Sequence, residues 1–199
     1  KVSRETITSL KIYENILIEC NKSLNLVGKS TINQIWTRHF MDSAQVIDFI
    51  DKNSKTILDL GSGAGFPGLI IAILAKDRKI PFQITLLEKS KKKSEFLKRI
   101  ISKLKLKVNV LSENVFDKKN KMKNEVFLSR AFKPLAKTLE LIHNQGNNWN
   151  KILIYQGKTG DAELLLASKS WNIKYKQWRS VTSRDSKILE INELKKKIE

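Results

Sequence analysis

The chain has 199 residues, with 38 Lys and Arg against 20 Asp and Glu, a formal net charge of +18 and a pI near 10.0. That length holds one α/β domain with a short extension, and the charge favours a polyanionic partner over a merely lysine-rich surface. No apolar run nears the ~18 residues of a membrane span, no signal peptide is read, and lone Cys20 excludes an internal disulfide, so a cytoplasmic setting is expected.

Along residues 3–24, Ile7, Leu10, Tyr13, Leu17, Cys20 and Leu24 recur at spacings of three and four, which predicts an amphipathic helix with Cys20 on its apolar face. A turn at Asn25–Lys29 leads to a second predicted helix over Thr31–Ile50. Ile32, Ile35, Trp36, Phe40, Val46, Ile47 and Ile50 share one of its sides. These two helices form an N-terminal extension, residues 1–54, expected to pack over the ligand edge of the domain that follows. The second helix holds Arg38, His39 and Asp42. His39 is either a structural histidine bonded to Asp42 or a carbonyl, or one of three side chains projecting into a ligand cleft. No second histidine or acid cluster stands at metal-ligand spacing, so no metal is expected.

From residue 55 to 199, strands and helices alternate. Strands are predicted at Thr56–Leu60, Gln83–Glu88, Lys107–Leu111, Val126–Ser129, Lys151–Gln156, Ile173–Trp178 and Ser186–Ile191. Helices are predicted at Pro67–Lys76, Lys91–Leu104, Pro134–Ile142 and Asp161–Ser168. The pattern is α/β: a Rossmann-like, seven-stranded doubly wound sheet with its last two strands paired as a hairpin, ligands sitting at the strands' carboxyl ends.

The stretch Thr56–Gly68, T-I-L-D-L-G-S-G-A-G-F-P-G, is a strand, a glycine turn and a helix start, which brings backbone N–H groups close to a ligand. Two ligands compete for it. Gly63-x-Gly65-x-x-Gly68 satisfies the dinucleotide fingerprint, with Glu88 about 20 residues on as the ribose acid. Gly61-x-Gly63-x-Gly65 satisfies the first motif of class I S-adenosylmethionine-dependent methyltransferases, with the same Glu88 on the ribose. Asp59 at the strand end favours the second, since a carboxylate repels a pyrophosphate and suits a cationic sulfonium and amino group.

Ser129-Arg130-Ala131-Phe132 ends the fourth strand, where such folds face their substrate. Arg130 there either orients acceptor or cofactor or pairs with a carboxylate. The three prolines are never adjacent, so the Asn/Asp-Pro-Pro-aromatic motif of exocyclic-amine methylation is missing. No cysteine follows a proline, which excludes the covalent route to cytosine C5. What remains is transfer to an atom with an exposed lone pair, for which positioning supplies most of the acceleration. Lysines cluster at Lys89–Lys93, Lys118–Lys123 and Lys195–Lys197. His143 is read as a capping or surface residue.

Asn25-Leu26-Val27, Arg38-His39-Phe40-Met41-Asp42-Ser43, Asp59-x-Gly-Ser-Gly-Ala-Gly-Phe-Pro-Gly, Leu86-Leu87-Glu88-Lys89-Ser90 and Ser129-Arg130-Ala131-Phe132 together resemble the RsmG (GidB) family. That resemblance implies methyl transfer from S-adenosyl-L-methionine to guanine N7 in 16S ribosomal RNA, on naked RNA or the small ribosomal subunit, by a monomer. It implies a cofactor site of Asp59, Gly61, Gly63, Gly65, Phe66, Glu88, Ser112, Glu113 and Arg130. Arg130, His39 and Asp42 become the catalytic candidates, and Arg38, Lys91, Lys92, Lys93 and Lys158 the RNA contacts. The family's Lys-Gly after the fifth strand is replaced by Gln156-Gly157-Lys158, which puts a basic contact at Gln156 in doubt. Three alternatives stand beside it. A methyltransferase for a protein or small molecule leaves the +18 charge without purpose. Asp59 counts against a nucleotide-dependent oxidoreductase, and the intact glycines count against a non-catalytic RNA-binding protein.

Overall fold

The structure is a computed structural model that describes residues 2–117 and 121–197; Lys118 and Lys119 of the second lysine cluster lie outside them. Helix α1, Arg4–Leu24, starts where the Ser3 hydroxyl accepts the Thr6 N–H and stops at Asn25, whose φ of 45° ends the helical run. It buries Leu10, Tyr13, Ile16 and Leu17 and packs on α3 (Gly68–Asp77) and α4 (Lys91–Leu104). Cys20 is half-buried, beside Arg99 of α4, rather than in the core.

The second N-terminal helix is not a single α-helix. The chain winds as a 3-10 turn (Ile32–Gln34), a π-helical stretch (Trp36–Met41), one α turn (α2, Asp42–Ala44) and a further 3-10 stretch (Gln45–Phe49). The apolar residues explain the rewinding. Ile35 and Phe40 stand five apart and are both buried, a spacing that the i→i+5 π repeat satisfies and an α-helix would splay.

The sheet runs β3-β2-β1-β4-β5-β7-β6, parallel except for β7. Its strands are β1 Thr56–Leu60, β2 Gln83–Leu87, β3 Val108–Leu111, β4 Val126–Arg130, β5 Lys151–Gln156, β6 Trp171–Arg179 and β7 Lys187–Lys196. The hairpin of β6 and β7 is longer than expected and carries a bulge at Lys174/Tyr175. Between β3 and β4 the described chain has only a 3-10 turn, Val115–Asp117.

Side-chain alternation divides the core. Ile57, Leu86, Leu128 and Leu153 face the α1, α3 and α4 side; Leu58, Leu60, Phe127 and Ile152 face α5 (Leu135–Gln145) and α6 (Gly160–Ser170). Helix α3 buries every residue from Gly68 to Ala75, since α1 and α2 cover the side that the sheet does not. The N-terminal extension therefore shares one core with the domain. Register aligns the carboxyl ends: Leu60 lies opposite Leu87 and Ser129, and Arg130 opposite Tyr155. Strand order reverses at β1, between β2 and β4, and the crevice outside that switch point is where such sheets bind ligands.

Candidate active site

Three glycines of the turn after β1 have positive φ: Gly61 at 70°, Gly63 at 56° and Gly65 at 95°. Gly61 is also tied to a neighbour, because a Cβ there would collide with the Phe132 ring. Ser62 pins the turn. Its carbonyl accepts the Gly65 N–H at 2.6 Å, its N–H donates to Leu87 O at 3.0 Å, and its hydroxyl donates to Asp59 O at 3.0 Å. From α1, the Tyr13 hydroxyl donates to Ala64 O, so the N-terminal helix holds the loop directly.

The two acids take different places. Glu88, just past β2, accepts the Gly63 N–H at 2.9 Å and the Ser90 N–H at 2.8 Å and faces a cavity of about 550 Å³. Asp59 is fully buried behind the turn, where Oδ2 accepts the Gly68 N–H at 3.0 Å. Its Oδ1 accepts no hydrogen bond among the described residues. Burial pushes its carboxyl up to about 7, against the pull of the Gly68 hydrogen bond, of the nearby Ser62 hydroxyl and of Arg130.

Arg130 ends β4 in a built socket. Its guanidinium meets Asp42 Oδ2 at 3.0 Å, donates to Arg38 O at 2.6 Å and reaches Ser43 Oγ at 3.5 Å. It lies 5.9 Å from the Phe66 ring centroid and 5.5 Å from that of Tyr155. Arg130 thus pairs with a carboxylate, as one of its two readings expected, and lines the cleft. Asp42 Oδ1 also accepts Thr182 Oγ1 at 2.7 Å, Ser180 Oγ at 3.0 Å and Gln45 Nε2 at 2.9 Å, tying the β6–β7 turn to the N-terminal segment.

His39 projects from the π-helical stretch and stacks on Phe66 at 5.0 Å, with Nε2 3.0 Å from Thr31 Oγ1. Burial and the Arg130 charge lower it to about 4, so it is neutral at pH 7. It bonds neither to Asp42 nor to a carbonyl in the way the structural reading expected.

Gly61, Gly63, Phe66, Glu88, Glu113, Arg130 and His39 line the 550 Å³ cavity together. Asp59 and Gly65 stand behind the loop, and Ser112 is exposed outside the lining. A second cavity of about 300 Å³ adjoins the first, sharing Arg130–Lys133 and adding Arg38 and Asp42. Lys91 and Lys92 are exposed at the start of α4, Lys93 lines the first cavity, and Lys158 pairs at 3.5 Å with Asp185. Gln156 is buried, its Nε2 donating to Gly160 O, and it lines the second cavity without a positive charge. His143 is exposed, edge-on to Trp171. Among the described residues no group of three His, Cys, Asp or Glu is placed to hold a metal ion. No described helix is long and apolar enough to cross a membrane.

Sequence reasoning missed Phe116 and Thr182, and read Phe132 only as part of the Ser129–Phe132 motif, with no role of its own. Phe132 stacks on Phe116 at 6.0 Å and lines both cavities. The signal for Phe132 was its place directly after Arg130-Ala131; Thr182, in a turn remote in sequence, left none.

A mostly parallel sheet with its last strand reversed, a glycine turn after β1 and an acid after β2 define a class I methyltransferase fold. Solved structures agree on the fold. A SAM-dependent methyltransferase from Aquifex aeolicus superposes with a TM-score of 0.61 at 14% identity, covering 83% of this chain and 98% of that one. TrmK of M. capricolum, solved with S-adenosyl-homocysteine, gives 0.54 at 18% identity, over 75% and 66%.

The chain belongs to the GidB family, described as rRNA small subunit methyltransferase G, whose profile matches residues 6–192. It is 38% identical to the Ribosomal RNA small subunit methyltransferase G of Pelagibacter ubique over 198 residues, 98% of this chain and 92% of that protein. The protein of the same name from Bartonella henselae is 36% identical, over 98% and 90%.

Proposed function

We propose that this chain transfers the methyl group of S-adenosylmethionine to N7 of a guanine in 16S ribosomal RNA, acting as a cytoplasmic monomer without a metal. The observation that carries the reading is the seam at Arg130–Lys133, where a glycine-cradled cavity with an acid at its rim adjoins a second cavity. The first cavity suits the cofactor. Its volume falls within the ~300–1,000 Å³ of small-molecule sites. A Cβ at Gly61 would close its approach.

When bound, S-adenosylmethionine supplies an electrophilic methyl on a sulfonium. Glu88 would accept the ribose hydroxyls with lone pairs left beside its two backbone bonds. Arg130 borders the place where the methyl changes hands. Asp42 neutralises it, so the guanidinium does not repel the sulfonium. N7 carries no proton, so its lone pair takes the methyl as the sulfur–carbon bond breaks, and no general base is needed. A neutral His39 stacked on Phe66 then shapes the wall. Arg38, Lys91–Lys93 and Lys158 would take phosphates, and the +18 charge favours RNA over a protein or small-molecule acceptor. The test is mass spectrometry of small-subunit ribosomal RNA from cells with and without the gene. Equal N7-methylguanine content in both would sink the reading.

A further inference from the structure

The second cavity is lined in part by elements that the cofactor cavity does not touch: Gly157 after β5, Glu163 on α6, and Thr182 and Ser186 on the β6–β7 turn. At about 300 Å³ it lies at the small end of ligand sites, the size class of one heterocycle rather than a whole nucleotide. We infer that this cavity takes the acceptor base itself, a guanine swung out of the RNA, and that Glu163 reads it. The inference rests on the guanine-N7 reading above.

The two edges of the base decide the orientation. N7 must face the shared wall at Arg130–Phe132 to meet the methyl. The N1–H and N2–H₂ donors, on another edge of the ring system, then face residues that line the second cavity alone. Glu163 lines the second cavity and not the first. Its Oε2 accepts the Leu135 N–H at 2.8 Å and its Oε1 accepts the Thr159 hydroxyl at 3.1 Å, so the carboxylate is held in place with lone pairs left on both oxygens. A carboxylate accepts from the two guanine donors; adenine would offer it an N1 lone pair and no N2 amine.

Asp42 aligns the two halves of the arrangement. One oxygen holds Arg130 at the methyl side and the other holds Thr182 of the acceptor wall, with Ser180 bonded beside it. Arg130 is committed to Asp42 and the Arg38 carbonyl, which keeps it off the common bidentate grip on guanine N7 and O6 and leaves the N7 lone pair free. Extrusion of the base also answers the inaccessibility of N7 within an A-form helix.

Gly157 provides the first test. A Cβ there meets nothing within 4 Å, so Gly157→Leu should fill the cavity mouth without displacing backbone. The expected result is a loss of at least about 100-fold in kcat/KM on small-subunit RNA, with the S-adenosylhomocysteine Kd within about twofold of wild type and Tm unchanged. Glu163→Gln keeps an acceptor for the Leu135 N–H but presents an amide to the base. On an RNA carrying inosine, which lacks the N2 amine, at the position the wild type methylates, the wild type should lose about tenfold or more and Glu163→Gln little. Full RNA activity in Gly157→Leu overturns the pocket. Unchanged discrimination between guanine and inosine in Glu163→Gln overturns the role of Glu163. A wild type that methylates no small-subunit RNA fails the functional reading itself, a separate outcome that removes both.

Discussion

Asp42 and Arg130 meet at 3.0 Å, with side-chain exposures of 11% and 19%, across the seam between the π-wound N-terminal segment and the end of β4. The pair links the part of the chain that precedes the sheet to the strand that faces both cavities. It also sets the local charge: under the proposed cofactor site a bare guanidinium here would stand beside a cation, whereas the guanidinium is paired with a carboxylate.

Asp42→Asn should therefore weaken S-adenosylmethionine more than S-adenosylhomocysteine, whose sulfur is uncharged. A unit charge left unpaired near the cofactor in a partly screened site is worth on the order of 1–2 kcal/mol, about tenfold in the ratio of the two Kd values. Calorimetric titration with both ligands measures that ratio. A ratio equal to that of wild type would show that Asp42 only positions Arg130.

Gly61→Val should abolish cofactor binding while the protein stays folded. The position has φ 70° and faces the Phe132 ring, so a branched side chain meets both backbone strain and a collision at the cavity wall. The expected loss in S-adenosylhomocysteine affinity is at least about 100-fold, with a Tm that falls by only a few degrees. Retained binding would remove Gly61 from the site.

Stability should depend on pH through Asp59 and His39 in opposite directions. Asp59 is raised from 3.8 to about 7, so the folded state keeps a proton that the unfolded chain has released. Its contribution is full below about 3.8 and is lost as the pH rises through about 7, on the order of 4 kcal/mol at most. His39 is lowered from 6.5 to about 4, so between those values the unfolded chain binds a proton that the folded one refuses, and stability rises with pH. The two offset each other up to about 6.5, above which Asp59 alone acts. Asp59→Asn, which still offers Gly68 an acceptor, should melt higher than wild type at pH 8 and close to it at pH 4. Equal Tm differences at both pH values would contradict a strongly raised Asp59.

β1, β2 and β5 were legible from the chain because they are largely apolar runs that stop at a glycine or an acid. Thr56–Leu60, Lys151–Gln156 and the helix Lys91–Leu104 have the bounds that their patterns predict. The Ile32–Phe49 segment was not legible as wound. A window that looks for a 3.6-residue stripe averages over Ile35 and Phe40, whose five-residue spacing demands a π turn. Within the site, the glycines and Glu88 announce themselves through local spacing. Asp59 was legible as important but not as hidden, since sequence shows that a strand ends in an acid and not which way that acid points. Glu163 and Thr182 come to the seam only through the sheet order, which places β7 between β5 and β6.

Arg130→Ala and a double Lys91→Ala, Lys92→Ala variant should separate chemistry from RNA affinity. Arg130 is enclosed by Asp42, Phe66 and Tyr155 and faces both cavities, so its loss should cut kcat by about 10²–10³ while RNA Kd moves little. Lys91 and Lys92 are exposed at the start of α4, two residues past Lys89, which borders the cofactor cavity mouth. Lys93 is left intact because it lines that cavity. Each lysine that neutralises a phosphate adds roughly 0.7–0.9 to the steepness of log affinity against log salt. The double variant should flatten that slope by up to about twice that amount and weaken RNA binding at low salt, with cofactor affinity unchanged. Lys158 is partly spent on Asp185 at 3.5 Å, so Lys158→Ala should flatten the slope less than either of the other two removed singly. Filter binding over a salt series reads the RNA affinities and slopes, and a methyl-transfer assay reads the kcat of Arg130→Ala. A slope unchanged in the double variant would place the RNA path elsewhere on the basic surface, away from the start of α4.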